Sequence, residues 1–353
     1  MNSENLSKLE LSIENMKNKK TRIYFFVQDS RGNAKASVAY IYYMAMSLKQ
    51  NGFNSIILHE KPDYVGVSEW LGEEFMNELP HKTIEGEKLE VSPEDFIVVP
   101  ELFGFVMPQI TKLPCGKIVL CQAYDHVLET LQPGQSWSQF GFLKCITTSE
   151  FQKDYLENVM RNTTFDILEP FISDDFVESN LPAKPIIAVH SREQRDTINL
   201  IKTFYLKFPQ YRWVTFRDMR GLTQKEFATT LKDAFLSVWI DETSGYGTYP
   251  LESIKSGVPV MGLVPNLQPH WMNTENGVWV NNKTQMSDFI ADFLQNWLED
   301  NINENLLTEM NKTKESLSTK ERFYSETVNL FEKYINIRLN SFEEQLEKLK
   351  ETV

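Results

Sequence analysis

Short apolar runs alternate with amphipathic segments along most of this chain, and the alternation occurs twice. The apolar runs of the first series are residues 22–28, 55–60, 95–101, 117–122 and 145–149. Those of the second series are residues 185–190, 212–216, 235–241, 258–263 and 278–281. Between them, helical spacing occurs in residues 34–50, 197–208, 224–234 and 285–298. Because strands that alternate with helices are typical of stacked βαβ units, the pattern predicts an α/β fold with two parallel sheets.

The segment Leu181-Pro-Ala-Lys-Pro185 separates the two series. Two prolines so close together oppose both helix and strand, which makes this segment the expected linker. A chain of 353 residues also suits two domains of ordinary size. The expected divisions are an N-terminal helical segment of residues 1–21, a Rossmann-like domain of residues 22–180, a second one of residues 181–312, and C-terminal helices of residues 313–353.

Both ends of the chain carry apolar residues at alternating three- and four-residue steps. Near the N-terminus these are Leu6, Leu9, Ile13 and Met16, and near the C-terminus they include Val328, Ile335, Leu339, Phe342, Leu346, Leu349 and Val353. Such spacing indicates helices that pair with each other or across a homodimer. Before Leu339, a final helix packed on the first domain is an equal alternative. Beyond Leu339, the more polar pattern predicts a protruding coiled coil.

Composition places the chain among soluble globular proteins, with 41% apolar and 24% charged residues. The formal net charge of -13 argues against broad nucleic-acid binding, which requires a basic face, and leaves only a local basic groove open. No apolar run reaches the length of a membrane span, and the N-terminus lacks the apolar core of a signal peptide. A cytoplasmic protein is therefore expected.

Metal and disulfide chemistry find little support in the sequence. Cys115, Cys121 and Cys145 lie in or beside apolar runs without CxxC spacing, so they are interpreted as reduced core residues. The five histidines form neither HxxxH nor HExxH. No metal site is expected.

The stretch from Asp241 to Thr248 joins a predicted buried strand to a predicted helix. Gly245 and Gly247 let the backbone approach a ligand, and the first free amides of the helix favour phosphate oxygens. Glu252 lies one turn into the helix, where it can accept hydrogen bonds from sugar or ribose hydroxyls. This spacing alone is equally compatible with an ordinary strand-to-helix turn.

The same stretch resembles the donor-binding signature of GT-B glycosyltransferases, especially family 4 (glycosyl transferases group 1). In that signature Glu-Gly-Phe-Gly precedes a second Glu at a helix start, and Gly-x-Pro-Val follows. The matching residues are Gly245, Tyr246, Gly247, Glu252, Gly257, Pro259 and Val260. The first Glu falls on Ser244, and Glu242 is a substitute whose side chain would leave the strand end in another direction. The resemblance implies two Rossmann-like domains with an interdomain cleft, and donor contacts from residues 244–248 and Glu252.

The resemblance also implies phosphate-binding groups after two other strands. In the family a basic pair follows the first strand of the second domain and binds the donor diphosphate; Arg192 matches it, and Arg195 is its partner. The family's loop after the first strand of the chain lies beside the acceptor and the donor phosphates. Gly32 and Asn33 are therefore candidates by position, with a plain turn as the alternative.

Two further segments are candidates for the acceptor side. Asp125 and His126 follow the fourth strand of the first series, where ligands of α/β proteins collect. A carboxylate or imidazole there can orient an acceptor hydroxyl or receive its proton, so both are candidate catalytic residues, with ordinary surface residues as the alternative. The loop of residues 264–272, which contains Trp271, is expected to cover the base or to shape the acceptor site.

The resemblance implies a glycosyltransferase that moves a sugar from a nucleotide sugar, such as a UDP- or GDP-sugar, to an acceptor hydroxyl. Similarity to family 4 implies retention of anomeric configuration, and arginines with a helix dipole can replace a metal ion. No cofactor beyond the donor substrate is expected. The acceptor stays open among a glycan, a lipid-linked sugar, a protein and a modified nucleobase. The alternatives are a DNA-modifying glycosyltransferase acting on a hydroxylated base, a nucleotide-sugar epimerase, and a nucleotide-sugar-binding scaffold with decayed activity.

Overall fold

The structure is a computed structural model that describes residues 2–86, 89–242 and 245–351. The chain divides into two compact units: Pro170–Lys320 forms the second, and the residues on either side of it form the first. The sequence pattern places the divisions after residues 180 and 312 instead. Residues 172 and 173 belong to the second unit because Lys255 Nζ donates to Ile172 O at 2.7 Å and Gln224 Nε2 donates to Ser173 Oγ at 2.8 Å. Within that unit Pro182 lies in a loop, and Pro185 is the second residue of the strand Lys184–Ser191.

Each unit contains one parallel sheet. The strands of the first unit are β1 Arg22–Phe26, β2 Asn54–His59, β3 His81–Thr83, β4 Phe96–Pro100, β5 Gly116–Cys121, β6 Lys144–Thr147 and β7 Thr164–Ile167. Those of the second unit are β8 Lys184–Ser191, β9 Thr215–Asp218, β10 Ala234–Ile240, β11 Val260–Leu263 and β12 Val278–Val280. The strand orders are β3-β2-β1-β4-β5-β6-β7 and β12-β11-β10-β8-β9. The predicted pair of parallel α/β sheets is therefore confirmed.

Every predicted apolar run overlaps a strand, although the run of residues 212–216 shares only Thr215 and Phe216 with β9. Two edge strands were not predicted. β3 and β7 carry the sequences His-Lys-Thr and Thr-Phe-Asp-Ile, which are too short and too polar to stand out as buried strands. By contrast, β4 and β10 are buried along their whole lengths. Continuous burial is typical of parallel strands that are covered on both faces.

The helices lie mainly between the strands, as expected for βαβ units. They are α1 Asn2–Lys17, α2 Ala36–Gln50, α3 Glu73–Glu78, α4 Met107–Ile110, α5 Tyr124–Thr130, α6 Glu150–Val159, α7 Gln194–Lys207, α8 Gln224–Asp233, α9 Thr248–Lys255, α10 Met286–Leu298, α11 Glu304–Ser316 and α12 Lys320–Glu351. The helices predicted from spacing correspond to α2, α7, α8 and α10. Within the described residues, none of the helices is both long and apolar enough to cross a bilayer.

The C-terminal helix α12 packs on the first sheet and its helices. The ring of Phe331 lies 5.7 Å from that of Phe25 in β1, and the ring of Phe323 lies 5.2 Å from that of Tyr40 in α2. These contacts confirm the alternative in which the residues of the final helix before Leu339 pack on the first domain.

The end of α12 does not protrude, so that part of the prediction is wrong. Lys17 Nζ lies 2.6 Å from Glu343 Oε1, and Lys350 Nζ lies 3.5 Å from Glu10 Oε1, which places α1 antiparallel to α12. Phe342 is buried. The two apolar stripes therefore pair within one chain, and the homodimer stays a prediction. Val353 lies outside the described residues.

Candidate functional site

The order of strands in the second unit creates a natural binding edge. β8 and β10 are neighbours. From β8 the chain continues to β9 on one side of this pair, and from β10 it continues to β11 on the other side. Ile240 pairs with Ser191 in the sheet, and the backbone N–H of Arg192 donates to Ile240 O at 3.3 Å. Ligands of open α/β sheets bind outside the carboxyl ends of strands at such a point. The structure thus brings the predicted Arg192 segment and the predicted glycine turn to the same edge.

Gly247 occupies the position immediately before α9 and requires glycine for two reasons. Its φ of +78° is in the left-handed region, and a Cβ there would lie 2.8 Å from Trp271 Cζ2. The indole Nε1 of Trp271 donates to Tyr246 O at 2.7 Å. Trp271 is buried, so it stabilises the backbone of the turn. The expected role of the loop of residues 264–272 in covering the base or shaping the acceptor site stays a prediction.

Helix α9 is fixed to the sheet by buried hydrogen bonds. The hydroxyl of Tyr249 donates to Ala188 O in β8 at 3.0 Å, and Ser237 Oγ in β10 donates to Ser253 Oγ at 2.8 Å. The helix begins at Thr248, as predicted. Because its first amides have no partners within the helix, a rigid α9 presents donors at a fixed place near Gly245 and Gly247.

Glu252 is a partly buried carboxyl in the second turn of α9. Burial raises the pKa of this carboxyl to about 8. Within the described residues its side chain makes no hydrogen bond. At neutral pH it is therefore largely protonated, and a neutral carboxyl can both donate to and accept from a ligand hydroxyl.

Arg192 and Arg195 are both exposed at the start of α7. Cations near a helix N-terminus are opposed by the helix dipole unless an anion compensates them. The carboxylate of the neighbouring Asp196 is already paired with Lys283, whose Nζ lies 2.8 Å from Oδ2. Arg195 makes no ion pair with any described residue, so its guanidinium is available to an anionic ligand.

Lys283 was not singled out in the sequence, although it follows β12 and reaches the same edge. Besides Asp196, it pairs with Glu242 Oε1 at 2.9 Å. This pairing occupies Glu242, the residue considered as a substitute for the missing first Glu of the signature. Ser244 itself lies outside the described residues.

The first unit has a corresponding edge between β1 and β4, where its strand order reverses. The loop after β1 carries Gly32 and Asn33, and Asn33 Nδ2 donates to Ser30 O at 3.2 Å. Trp70 Nε1 donates to Ser30 Oγ at 3.2 Å and so fixes the base of the loop. Both candidates therefore lie at the edge where the strand order of the first sheet reverses, and their contact with phosphate or acceptor stays a prediction.

Glu101 is the residue of this edge that sequence reasoning missed. It follows β4 and is almost completely buried, and its Oε1 accepts from Ala123 N at 3.0 Å and pairs with His126 Nδ1 at 3.3 Å. Its other oxygen, Oε2, is buried without a hydrogen bond among the described residues. The available signal was an acidic residue directly after a buried strand next to the reversal point.

The pairing with Glu101 determines what His126 can do. A carboxylate only accepts hydrogen bonds, so Nδ1 of His126 carries the proton and a neutral ring keeps Nε2 as its acceptor. The ring is partly exposed, with a third of its side-chain surface accessible. The other predicted catalytic residue, Asp125, is partly exposed on the same short helix α5.

The described part of the chain offers neither a cluster of metal ligands nor a reactive thiol. No group of three or more His, Cys, Asp or Glu side chains suited to a metal ion occurs there. The three cysteines are free and buried, and burial raises the pKa of Cys121 and Cys145 well above the ordinary thiol value. Such thiols are inert core residues.

No protein-family model matches the sequence. Among curated proteins, an alpha-1,6-glucosyltransferase of Actinobacillus pleuropneumoniae is 26% identical over 189 residues, which cover 50% of this chain and 54% of that protein. The match thus spans about half the length of the relative.

Solved structures share the fold over most of the chain. Sucrose-phosphate synthase from Thermosynechococcus elongatus has a TM-score of 0.65 at 13% identity, covering 90% of this chain and 100% of that one. Anabaena Alr3699/HepE in complex with UDP and glucose has a TM-score of 0.60 at 8% identity, covering 88% and 99%. Together with the two parallel sheets, these similarities confirm the predicted GT-B fold. The narrower resemblance to family 4 stays a prediction.

Proposed function

We propose that this chain is a glycosyltransferase that transfers glucose from UDP-glucose to a hydroxyl of an acceptor sugar. The observation that carries the proposal is the rigid turn at Gly247, which presents the start of α9 beside Arg192 at the reversal point of the second sheet. Glucose and UDP are chosen because the curated relative is a glucosyltransferase and one similar structure holds UDP and glucose.

The diphosphate is assigned to the amides of the turn and to the arginines. As the bond between the sugar and the diphosphate breaks, negative charge develops on the departing phosphate oxygens. Arg192, Arg195 and the N-terminal dipole of α9 stabilise that charge, so the proposed reaction needs no metal ion. Activity is therefore expected to persist after treatment with EDTA.

The nucleoside is assigned to Glu252. Its carboxyl is partly buried and makes no hydrogen bond with the described residues, so it is available to a ribose hydroxyl. The raised pKa allows the protonated form to donate to one hydroxyl while it accepts from another.

His126 and Glu101 are assigned to the recognition of a sugar hydroxyl in the first unit. His126 orients a hydroxyl through Nε2, and Glu101 is a positioning residue that holds the ring through Nδ1. In the transfer, the anomeric carbon loses its bond to the diphosphate and gains one to the acceptor oxygen. The acceptor proton leaves with the diphosphate, and the anomeric configuration is retained.

The acceptor is proposed to be a glucose-containing glycan with a free primary hydroxyl. The α-1,6 linkage named for the curated relative supports this choice over a protein, a lipid-linked sugar of another kind or a modified nucleobase. The negative net charge of -13 also disfavours DNA as an acceptor.

The test is incubation of purified protein with UDP-glucose and glucose-terminated acceptors, with release of UDP and NMR of the product as readouts. The Arg192→Ala variant should lower kcat/KM by about 100- to 1000-fold. Arg212→Ala is the matched control, because Arg212 is exposed in the same unit but precedes β9 at its amino end. Absence of both nucleotide binding and turnover in folded wild-type protein would overturn the proposal.

A nucleotide-sugar-binding protein without turnover is the second candidate. It is favoured by Ser244 at the place of the signature's first Glu, and by the ion pair that occupies Glu242. Ser244→Glu separates the two functions: a gain of turnover indicates a decayed site, and a loss of turnover indicates an adapted enzyme.

A further inference from the structure

A cavity of about 530 Å³ lies in the second unit, away from the edge that carries Gly247 and Arg192. It is lined by the loop before β12, the end of α10 and the start of α11. Because all strands of this sheet are parallel, the amino end of β12 is at the edge opposite to the carboxyl ends of β8 and β10. The cavity is therefore separate from the proposed donor site.

The lining is mixed and almost uncharged, with polar residues beside the apolar Val278, Phe293, Ile302 and Leu306. The described residues that line the cavity include Asn296, Asn301, Asn303, Asn305 and Thr274, with Glu275 as their single acidic member and no Lys, Arg or His. Without a cation, such a cavity does not favour phosphates or carboxylates. With so many amides, it is also poorly suited to a lipid, because each unmet amide would lose its hydration.

The amides are free to bind a ligand. Within the described residues, the side chains of Asn296, Asn301 and Asn305 make no hydrogen bond, and all three are exposed. Each primary amide offers two donors and an acceptor, which matches hydroxyl groups that both donate and accept.

A partly exposed indole, Trp279, completes the lining. Its Nε1 donates to Asn276 Oδ1 at 3.2 Å, and Asn276 Nδ2 in turn donates to Trp271 O at 2.7 Å and Thr313 Oγ1 at 3.0 Å. Asn276 is fully buried, so the indole is fixed before a ligand arrives. A fixed aromatic surface binds the apolar C–H face of a sugar at low entropic cost.

We propose that this cavity is a binding site for a neutral oligosaccharide, separate from the site of transfer. Free amides supply hydrogen bonds to hydroxyls, and Trp279 supplies a stacking surface. Its purpose, which rests on the proposed function, is to retain a glycan acceptor on the enzyme between transfers. The binding itself does not depend on that function.

The test is isothermal titration of the full chain with isomaltotriose, maltotriose and the acidic trisaccharide of galacturonic acid. We expect saturable binding of a neutral trisaccharide and weaker binding of the acidic one. The Asn296→Ala/Asn305→Ala double variant should weaken binding by about tenfold, since two hydrogen bonds are lost. The matched control is Asn199→Ala, an exposed asparagine of α7 that does not line the cavity.

Binding of UDP is measured in the same samples and should be unchanged in all variants. Failure of the UDP signal alone would contradict the proposed function and leave the oligosaccharide site standing. The oligosaccharide site is overturned if no neutral trisaccharide binds, if the double variant binds as tightly as Asn199→Ala, or if UDP displaces the sugar.

Discussion

The binding edges of the two units differ in how the chain assembles them. In the second unit, the glycine turn and Glu252 come from one continuous stretch, whereas Trp271, Lys283 and the residues after β8 come from elsewhere. In the first unit, the central pair joins Glu101 after β4 to His126 in α5, 25 residues apart. A continuous site leaves a pattern in the sequence, whereas a site assembled from separate loops does not.

The two edges also differ in what stabilises them. The turn at Gly247 is held by a buried indole hydrogen bond and by the tyrosine that links α9 to β8. The pair in the first unit depends on one buried carboxylate, of which one oxygen has no hydrogen bond among the described residues. We therefore expect the second edge to be impaired by substitutions that change side-chain shape. The first edge should be impaired by substitutions that change charge or protonation.

The largest expected effect is that of Gly247→Ala. Alanine in the left-handed region costs about 1–2 kcal/mol, and a Cβ at 2.8 Å from the buried indole of Trp271 forces repacking, which costs about 1–3 kcal/mol. The free energy of unfolding should therefore fall by about 2–5 kcal/mol, with loss of UDP binding. Urea denaturation and titration with UDP measure the two effects.

Gly221→Ala is the matched control for this substitution. Gly221 also has a positive φ of +75°, but a Cβ there would meet no atom of the described residues within 4 Å. The Gly221→Ala variant should lose only the stability that alanine costs in the left-handed region, and it should keep UDP binding. Equal losses in both variants would mean that contact with Trp271 does not stabilise the turn.

The charge-dependent edge is tested by Glu101→Gln. Glutamine has the same shape, but its amide can present a donor to Nδ1 of His126 and so favours the wrong tautomer. We expect kcat/KM to fall by about 10- to 100-fold, with a shift in its pH profile. Thermal unfolding measured alongside reports any change in stability.

His126→Ala and the double variant distinguish positioning from a purely structural role. If Glu101 acts through His126, the double variant should be no less active than His126→Ala alone, because the two effects are not additive. A multiplicative loss, or a lower melting temperature with an unchanged pH profile, would contradict the assignment of Glu101 as a positioning residue.

The fold could be predicted from the sequence because each central strand is a continuous apolar run that repeats with helical segments between. β3 and β7 were not predicted because an edge strand is exposed and needs fewer apolar residues. The protrusion predicted beyond Leu339 was wrong because heptad spacing identifies an apolar stripe but not its partner, which is α1 of the same chain.

The contrast between a continuous stretch and separate loops also explains which residues of the candidate sites could be predicted. Gly247 could be predicted because left-handed turns demand glycine, and a single residue type then carries the information. Glu101 and Lys283 could not, because an isolated Glu or Lys is common on any surface, and only the folded sheet brings each to its partner. The hydrogen bond from Trp271 to the backbone of the turn could not be predicted either, since the sequence does not reveal which way a loop residue faces.

The smallest expected effect concerns the protonation of Glu252. Burial raises the pKa of its carboxyl to about 8, so the folded state keeps a proton that the unfolded state releases near pH 4 to 5. Stability linked to this group is therefore fully present below that range and is lost as pH rises through about 8. His190, whose pKa burial lowers to about 4, stays neutral in both states near pH 8.

Between pH 6.5 and 8.5 the free energy of unfolding should thus fall by about 1 kcal/mol more in the wild type than in Glu252→Gln, after allowance for the partial exposure of the side chain. Urea denaturation at several pH values measures the difference, and bound UDP should reduce it if a ribose hydroxyl contacts this carboxyl. Parallel pH dependences for the two proteins would show that Glu252 is ionised in the folded state. The second edge would then depend on charge as the first does, and the contrast between the two units would be lost.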